Sequence, residues 1–205
     1  LAEGVNTLQV DGSRTLTAFV HQTVGMPFAN IRVFDYKRDD NGNILLNNGL
    51  PQQGELIDAG SGIHKTTGGW NNDFSFGNLN VGALVDFKFG GKIFSATNHY
   101  GYTRGLHQAT LEGREGQIVA EGIDEATGEA NAVAVNPQDY YGALTQISNN
   151  FVYDASFVKL RQVTVGYNFP RAWFADTGIQ GLNVALVGRN LAILYKKTDN
   201  IDPES

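Results

Sequence analysis

The sequence has no cysteine, which removes disulfides, thiolate nucleophiles and every Cys-based zinc site from consideration. It also lacks any run near the ~18 consecutive apolar residues that a transmembrane helix needs, in keeping with a mean hydropathy of −0.23. Charge is sparse: Asp, Glu, Lys and Arg make up 18% of the chain, below the roughly 25% of ordinary soluble domains. The balance is −6, and the basic residues are scattered apart from Lys196-Lys197. A nucleic-acid surface needs clustered cations to displace counterions, so that class is excluded. No G-x-S-x-G, P-loop, H-E-x-x-H or G-x-G-x-x-G occurs. The start, Leu1-Ala2-Glu3-Gly4, has neither the basic residues nor the apolar core of a secretory leader, and reads as the middle of a longer protein.

Glycine (25 residues) and aromatic side chains (11%) are plentiful instead, a composition that suits an all-β chain. A membrane β-barrel keeps its average hydropathy modest because only alternate residues meet lipid. A soluble secreted β-sandwich that binds carbohydrate would have the same composition, so bulk numbers leave both open. Patterning carries more. Val81, Ala83, Val85, Phe87 and Phe89 alternate with Asn80, Gly82, Leu84, Asp86 and Lys88, giving one apolar and one mixed face over Leu79 to Phe89. About 9–11 tilted residues cross the hydrocarbon core, so this strand is long enough. Val163, Val165, Tyr167 and Phe169 likewise oppose Gln162, Thr164, Gly166 and Asn168, and Pro170 ends that strand. Leu182 to Leu194 reads as its return, with Arg189 assigned to a lumen or to a height outside the apolar band, because arginine is expensive against lipid. Trp173 and Phe174 fall in the intervening turn, where an interfacial aromatic belt would sit.

Upstream, Leu16–Thr23 and Ile31–Lys37 read as strands around Gly25-Met26-Pro27. Short turns are expected at 24–27, 90–92 and 170–180, with the chain returning through Ile93 and Phe94 towards Tyr100. Long polar connections are expected at 38–73 and 104–155. On this map there are six strands of alternating direction, with the long connections all at one end, as in barrels with long extracellular loops. The lipid-facing set is Val81, Val85, Phe87, Val163, Val165 and Tyr167.

Several segments also resemble one family. Trp70-Asn71-Asn72-Asp73-Phe74-Ser75-Phe76-Gly77-Asn78-Leu79 resembles a hairpin of that family that leads into a strand ending Asp86-Phe87-Lys88-Phe89-Gly90-Gly91-Lys92. Thr110-Leu111-Glu112-Gly113-Arg114-Glu115, Tyr153-Asp154-Ala155-Ser156-Phe157-Val158-Lys159-Leu160-Arg161, Val187-Gly188-Arg189-Asn190-Leu191 and Asp202-Pro203-Glu204 follow. Together these resemble the late barrel region of SusC/RagA-type TonB-dependent outer-membrane transporters, most strongly from Gly69 to Glu115 and from Phe151 to Glu204. The resemblance implies an antiparallel meander of long transmembrane β-hairpins. Residues 1–205 would form part of one barrel of about 22 strands, with the plug and closing strand outside them. It implies import of glycans or oligopeptides across the outer membrane of a Gram-negative, Bacteroidetes-like bacterium. A SusD-like surface lipoprotein would act as lid, and the TonB complex would drive transport through an N-terminal region that these residues do not include.

Candidate ligand contacts are aromatic: Trp70, Tyr100, Tyr102, Tyr140 and Tyr141 suit stacking on an oligosaccharide or peptide, with interfacial anchoring or loop packing as the competing role for each. Catalysis, cofactors and metals find no support. His21, His64, His99 and His107 are not at ligand spacing. Asp39-Asp40-Asn41-Gly42-Asn43 lacks the distal glutamate of a calcium loop and reads as a hairpin turn. Glu112 and Glu115 flank Arg114 and read as a salt-bridged turn rather than a glycosidase pair. Lys159 and Arg161 read as solvated positions near head groups or the lumen.

Overall fold

The structure, a computed structural model, describes residues 3–204, with the side chains of residues 11–15 excepted. The leader reading at Leu1 and Ala2 therefore lies outside the described residues. Strands β1 (Thr7–Thr15), β2 (Ala18–Thr23) and β3 (Asn30–Tyr36) form consecutive antiparallel hairpins. The β2–β3 turn contains Gly25 at φ 80, a left-handed conformation that glycine adopts without steric penalty. A short hairpin, β4 (Leu45–Asn47) with β5 (Leu50–Pro51), interrupts the next connection. The Asp39 turn before it is a hairpin turn as expected: its carboxylate accepts from the Asn41 and Asn43 backbone at 2.9 and 2.8 Å, and Arg38 pairs with Ile44. Strand β6 (Gln53–Ser61) then joins β3, completing a sheet of order β1-β2-β3-β6. Its buried centre is Ala18, Ile31 and Val33, with Ile57, Ala59, Phe94 and Val152 packed on it.

The second sheet is larger and differently built. Strand β7 (Thr66–Phe76) turns at Gly77-Asn78 into β8 (Leu79–Phe89), and the two pair without a register shift over their whole length. Gly77 has φ 58, as the first position of a two-residue hairpin loop favours. Residues 53–76 are thus mostly stranded, whereas the sequence reads 38–73 as one long connection. The segment Gly68-Gly69-Trp70-Asn71-Asn72-Asp73 has little strand propensity. It is extended because β8 offers a continuous ladder, a case of tertiary context overriding local preference.

The expected turn at 90–92 also comes out differently. Beyond Gly90-Gly91 the chain forms only β9 (Lys92–Phe94), and Ser95 then caps helix α1 (Ala96–Thr103) by accepting from Asn98 N. No strand returns towards Tyr100. The connection continues through β10 (Ile118–Val119), β11 (Ile123–Asp124) and β12 (Ala134–Val135) to helix α2 (Pro137–Leu144), which is capped by Asn136. Strand β13 (Val152–Asp154) pairs with β9, and the Phe151 carbonyl accepts from Ser95 N. Finally β14 (Phe157–Phe169) and β15 (Leu182–Lys196) extend the second sheet to the order β15-β14-β8-β7.

Short loops at 77–78 and 170–181 lie at one end of this sheet, because Tyr167 pairs with Leu79 and Phe169 with Leu182. The connection from residue 90 to 156 leaves from the other end, where Phe157 pairs with Lys88. The short loops of this sheet therefore lie at one end and its long connection at the other, but short and long do not alternate along the whole chain: 62–65, between β6 and β7, and 77–78 are successive short links.

Candidate functional site

Opposed residues in a sheet share a face, so register decides facing. On β14, Val163, Val165 and Tyr167 pair with Ala83, Val81 and Leu79 of β8. Those three pair onward with Asn72, Phe74 and Phe76 of β7, while Val165 and Tyr167 meet Leu186 and Val184 of β15. Val85 and Phe87 pair with Leu160 and Val158. The six residues expected to face lipid thus share one apolar face across four strands. None of them is buried, and no second sheet covers them: Val165 is 41% exposed and Leu186 76%. A sandwich would have hidden these side chains in its own interior, so the structure is at odds with that alternative.

This face is banded. Phe74 and Phe76 stack at 6.4 Å, and Tyr167, Phe169 and Trp173 are linked ring to ring at 5.1 and 5.7 Å near the short loops. Phe87 and Phe89 meet at 5.6 Å near the opposite end. Valines fill the middle. The reverse face is hydrogen-bonded and polar: Ser75 to Asn80 at 2.8 Å, Gln162 to Thr164 at 3.1 Å and Asn183 to Asn168 at 2.7 Å. Arg189 pairs with Gln162 and so lies on this polar side.

Lys159 and Arg161 are not solvated as the sequence suggests. Residues 197–204 fold back so that Nζ of Lys159, whose side chain is only 7% exposed, meets Asp202 at 2.6 Å and Glu204 at 2.8 Å. Arg161 pairs with Asp86 at 2.8 Å and with Glu204 at 2.6 Å, and Lys88 reaches Glu204 at 3.2 Å. The same three cations stand 5.0–5.8 Å from the centre of the fully buried Phe157 ring. Burial by itself would raise the Glu204 carboxyl. Hydrogen bonds from Arg161, Lys159 and Lys88 outweigh it and hold the group at about 2. The strap also reaches α1, where Asn98 donates to the Asp199 carbonyl at 3.4 Å and Asn200 meets His107 at 3.1 Å. Nothing short of the three-dimensional fold joins these residues. The only hint was that Asp202-Pro203-Glu204 stood among the family-like segments.

The tyrosines gather on the two helices. Tyr102 packs edge-on against Phe151 at 5.1 Å and Tyr141 at 5.8 Å, and Tyr140 meets Tyr141 at 5.3 Å. Tyr141 is buried, and its hydroxyl donates to the Ala109 and Glu112 carbonyls at 2.7 and 3.2 Å, so this ring holds the helices together. Tyr140 is half-buried, and burial pushes its phenol up to about 12. It lines an open cleft of about 360 Å³ with Tyr36, Glu112 and Glu121. Tyr100 is exposed beside His99. His99 donates through Nε2 to the Thr145 carbonyl at 3.1 Å, and its burial lowers its pKa below the ordinary imidazole value. Trp70 stands apart on the apolar face opposite Val85, 66% exposed. Arg114 does not pair with Glu112 or Glu115 as expected. Its guanidinium donates to the carbonyls of Thr110 and Gly105 and to the Thr110 hydroxyl.

Comparisons with known proteins come from sequence and from fold. The chain is 26% identical over 185 residues to the TonB-dependent receptor SusC of Bacteroides thetaiotaomicron, covering 88% of this chain and 17% of that protein. Against the TonB-dependent receptor P3 of Formosa agariphila it is 24% identical over 139 residues, covering 68% of this chain and 13% of the relative. The chain thus spans less than a fifth of the curated relatives it matches. Structures of the RagAB peptide transporter, and of the RagAB peptide importer in its open-open state, match the whole chain with TM-score 0.63, at 19% and 20% identity and over 23% and 22% of their chains. At that identity they speak for the fold. No family model matches.

Proposed function

We propose, from a chain that is SusC/RagA-type in sequence and fold, that it forms a sector of the wall of an outer-membrane nutrient importer, with residues 90–156 as an outward cap. The observation that carries this reading is the uncovered, aromatic-banded apolar face backed by a polar one. Eleven residues at about 3.4 Å each, tilted by ~45°, span roughly 26 Å, the height of the apolar band of such barrels. In this reading the six apolar residues meet lipid, and Trp70, beside Val85 within the apolar band, does so too rather than binding cargo. The polar face lines the lumen. The wider assembly supplies a plug, TonB coupling and a SusD-like lipoprotein lid. Cargo is an oligosaccharide or oligopeptide, gathered by the aromatic cap at Tyr100, Tyr102 and Tyr140. Two properties of the relatives lend support: their TonB dependence, and the peptide import named for RagAB.

Trp70 is one of two tryptophans in these residues, and the emission that Trp70→Phe removes from the full barrel isolates its signal. With the barrel containing this segment assembled in liposomes, acyl-chain bromination should quench Trp70 emission strongly, and aqueous iodide weakly. Quenching by iodide alone would contradict the wall reading.

A further inference from the structure

Two open clefts of about 570 and 720 Å³ adjoin between α1, the short helical turn at Gln108–Leu111 and α2, and they share Arg104, Gly105 and Arg114. This chain has 21 acidic residues against 15 Lys and Arg, yet neither cleft has an Asp or Glu in its lining. Arg104 is exposed just past the end of α1 and makes no ion pair among the described residues. Arg114 is held differently. Its Nε and Nη2 are occupied by Thr110 and Gly105, which fixes the guanidinium plane and leaves both Nη1 hydrogens unassigned. What remains for a ligand is one cationic nitrogen with two hydrogens in a fixed plane, a charge-assisted donor for a single carboxylate or sulfate oxygen. His107 and Tyr100 border the same space.

We propose that Arg104 and Arg114 bind the carboxylate or sulfate oxygens of an acidic oligosaccharide. This rests on the importer reading and makes its cargo anionic. The rest of the lining favours a sugar over a peptide. Gln138, Asn136, Gln108 and Asn200 offer amide groups that suit ring hydroxyls. None of the lining residues belongs to a strand, so no sheet edge is available to pair with an extended peptide backbone.

The test uses the barrel containing this segment in detergent, titrated calorimetrically with oligogalacturonate, its carboxyl-reduced neutral counterpart, a sulfated neutral oligosaccharide and a glutamate-rich peptide. The acidic sugars should bind and the neutral one should not. The sulfated arm tells which oxyanion is preferred. Arg104→Gln should weaken the preferred ligand by about ten- to a hundredfold, the loss expected for one charge-assisted contact. Arg104→Lys should retain part of the affinity, and added salt should weaken it. Equal binding of the neutral sugar, an unchanged Kd in Arg104→Gln, or binding of the peptide alone would overturn the proposal. Heat-modifiable electrophoretic migration of the same samples reports barrel folding separately. A folded barrel that ignores acidic sugars sinks the anion site, while failure to show heat-modifiable migration in detergent sinks the importer reading.

Discussion

The four-stranded wall and the cap built on its long connection obey different rules of stability. The cap buries its apolar groups within itself and against the first sheet. Phe151 is fully buried against Phe94, His99 and Tyr102, and the Ser148 hydroxyl donates to Thr17 and accepts from Phe34 N. The wall buries little beyond Phe157 and Lys159 at its cap end: nearly every residue of β15 is exposed and most of β8 only half-buried. A sheet with an open apolar face, and with outer edges on β7 and β15 that have no partner strand among the described residues, aggregates in water. In the proposed importer, hydrocarbon would cover this face and further strands its edges, which is what stabilises such a sheet. The cap owes its shape to its own packing, and the wall owes its shape to its surroundings.

The largest test of that contrast is on the cap side. Phe151→Ala should cost about 3–5 kcal/mol through the cavity it leaves, measured as protease sensitivity within 90–156, with or without lipid. On the wall, Val165→Arg should destabilise by about 2–4 kcal/mol in urea unfolding from bilayers if that site lies near the midplane, whereas Thr164→Arg on the opposite face should have little effect. Equal effects of the two arginines would erase the distinction.

The strap joins both regions and should respond to acid. Glu204 is held at about 2, below its ordinary 4.5, and Asp202 is lowered too, chiefly by its hydrogen bond from Lys159. A lowered carboxylate contributes stability that is complete above about 4.5 and is lost as pH falls through about 2. Proteolysis within 197–204 should therefore rise across that window, and Glu204→Gln should flatten the dependence at the Glu204 contacts. The smallest effect expected is from Asn136→Ala, about 1 kcal/mol from the lost cap of α2, visible as faster amide exchange at Gln138.

Most of the wall was legible in the sequence, because β8 and β14 alternate cleanly and alternation is a physical consequence of one face meeting oil. Strand β7 was legible only through the family-like hairpin at Trp70–Leu79, since Gly, Asn and Asp dominate its middle and only the neighbouring strand extends it. The helices were missed for a different reason. Each is eight residues long with weak periodicity, although Asn136-Pro137-Gln138-Asp139 is a recognisable start: a capping side chain, proline at the first position, then an acidic residue. Tyr140 and Tyr141 stood out as a pair, but their neighbouring positions say nothing of their different burial. The Lys159–Glu204 strap could not be read at all, because its partners meet only once the chain has folded back.

These residues bring no cysteine of their own to the decisive measurement, and the barrel without an introduced cysteine serves as its blank. Single cysteines placed in turn from Val163 to Asn168, in the barrel containing this segment in native membranes, would be reacted with a water-soluble maleimide. The account predicts labelling with a period of two: positions 164, 166 and 168 react, while 163, 165 and 167 stay protected until detergent is added. Uniform labelling, or reaction at 163 and 165 without detergent, would contradict it.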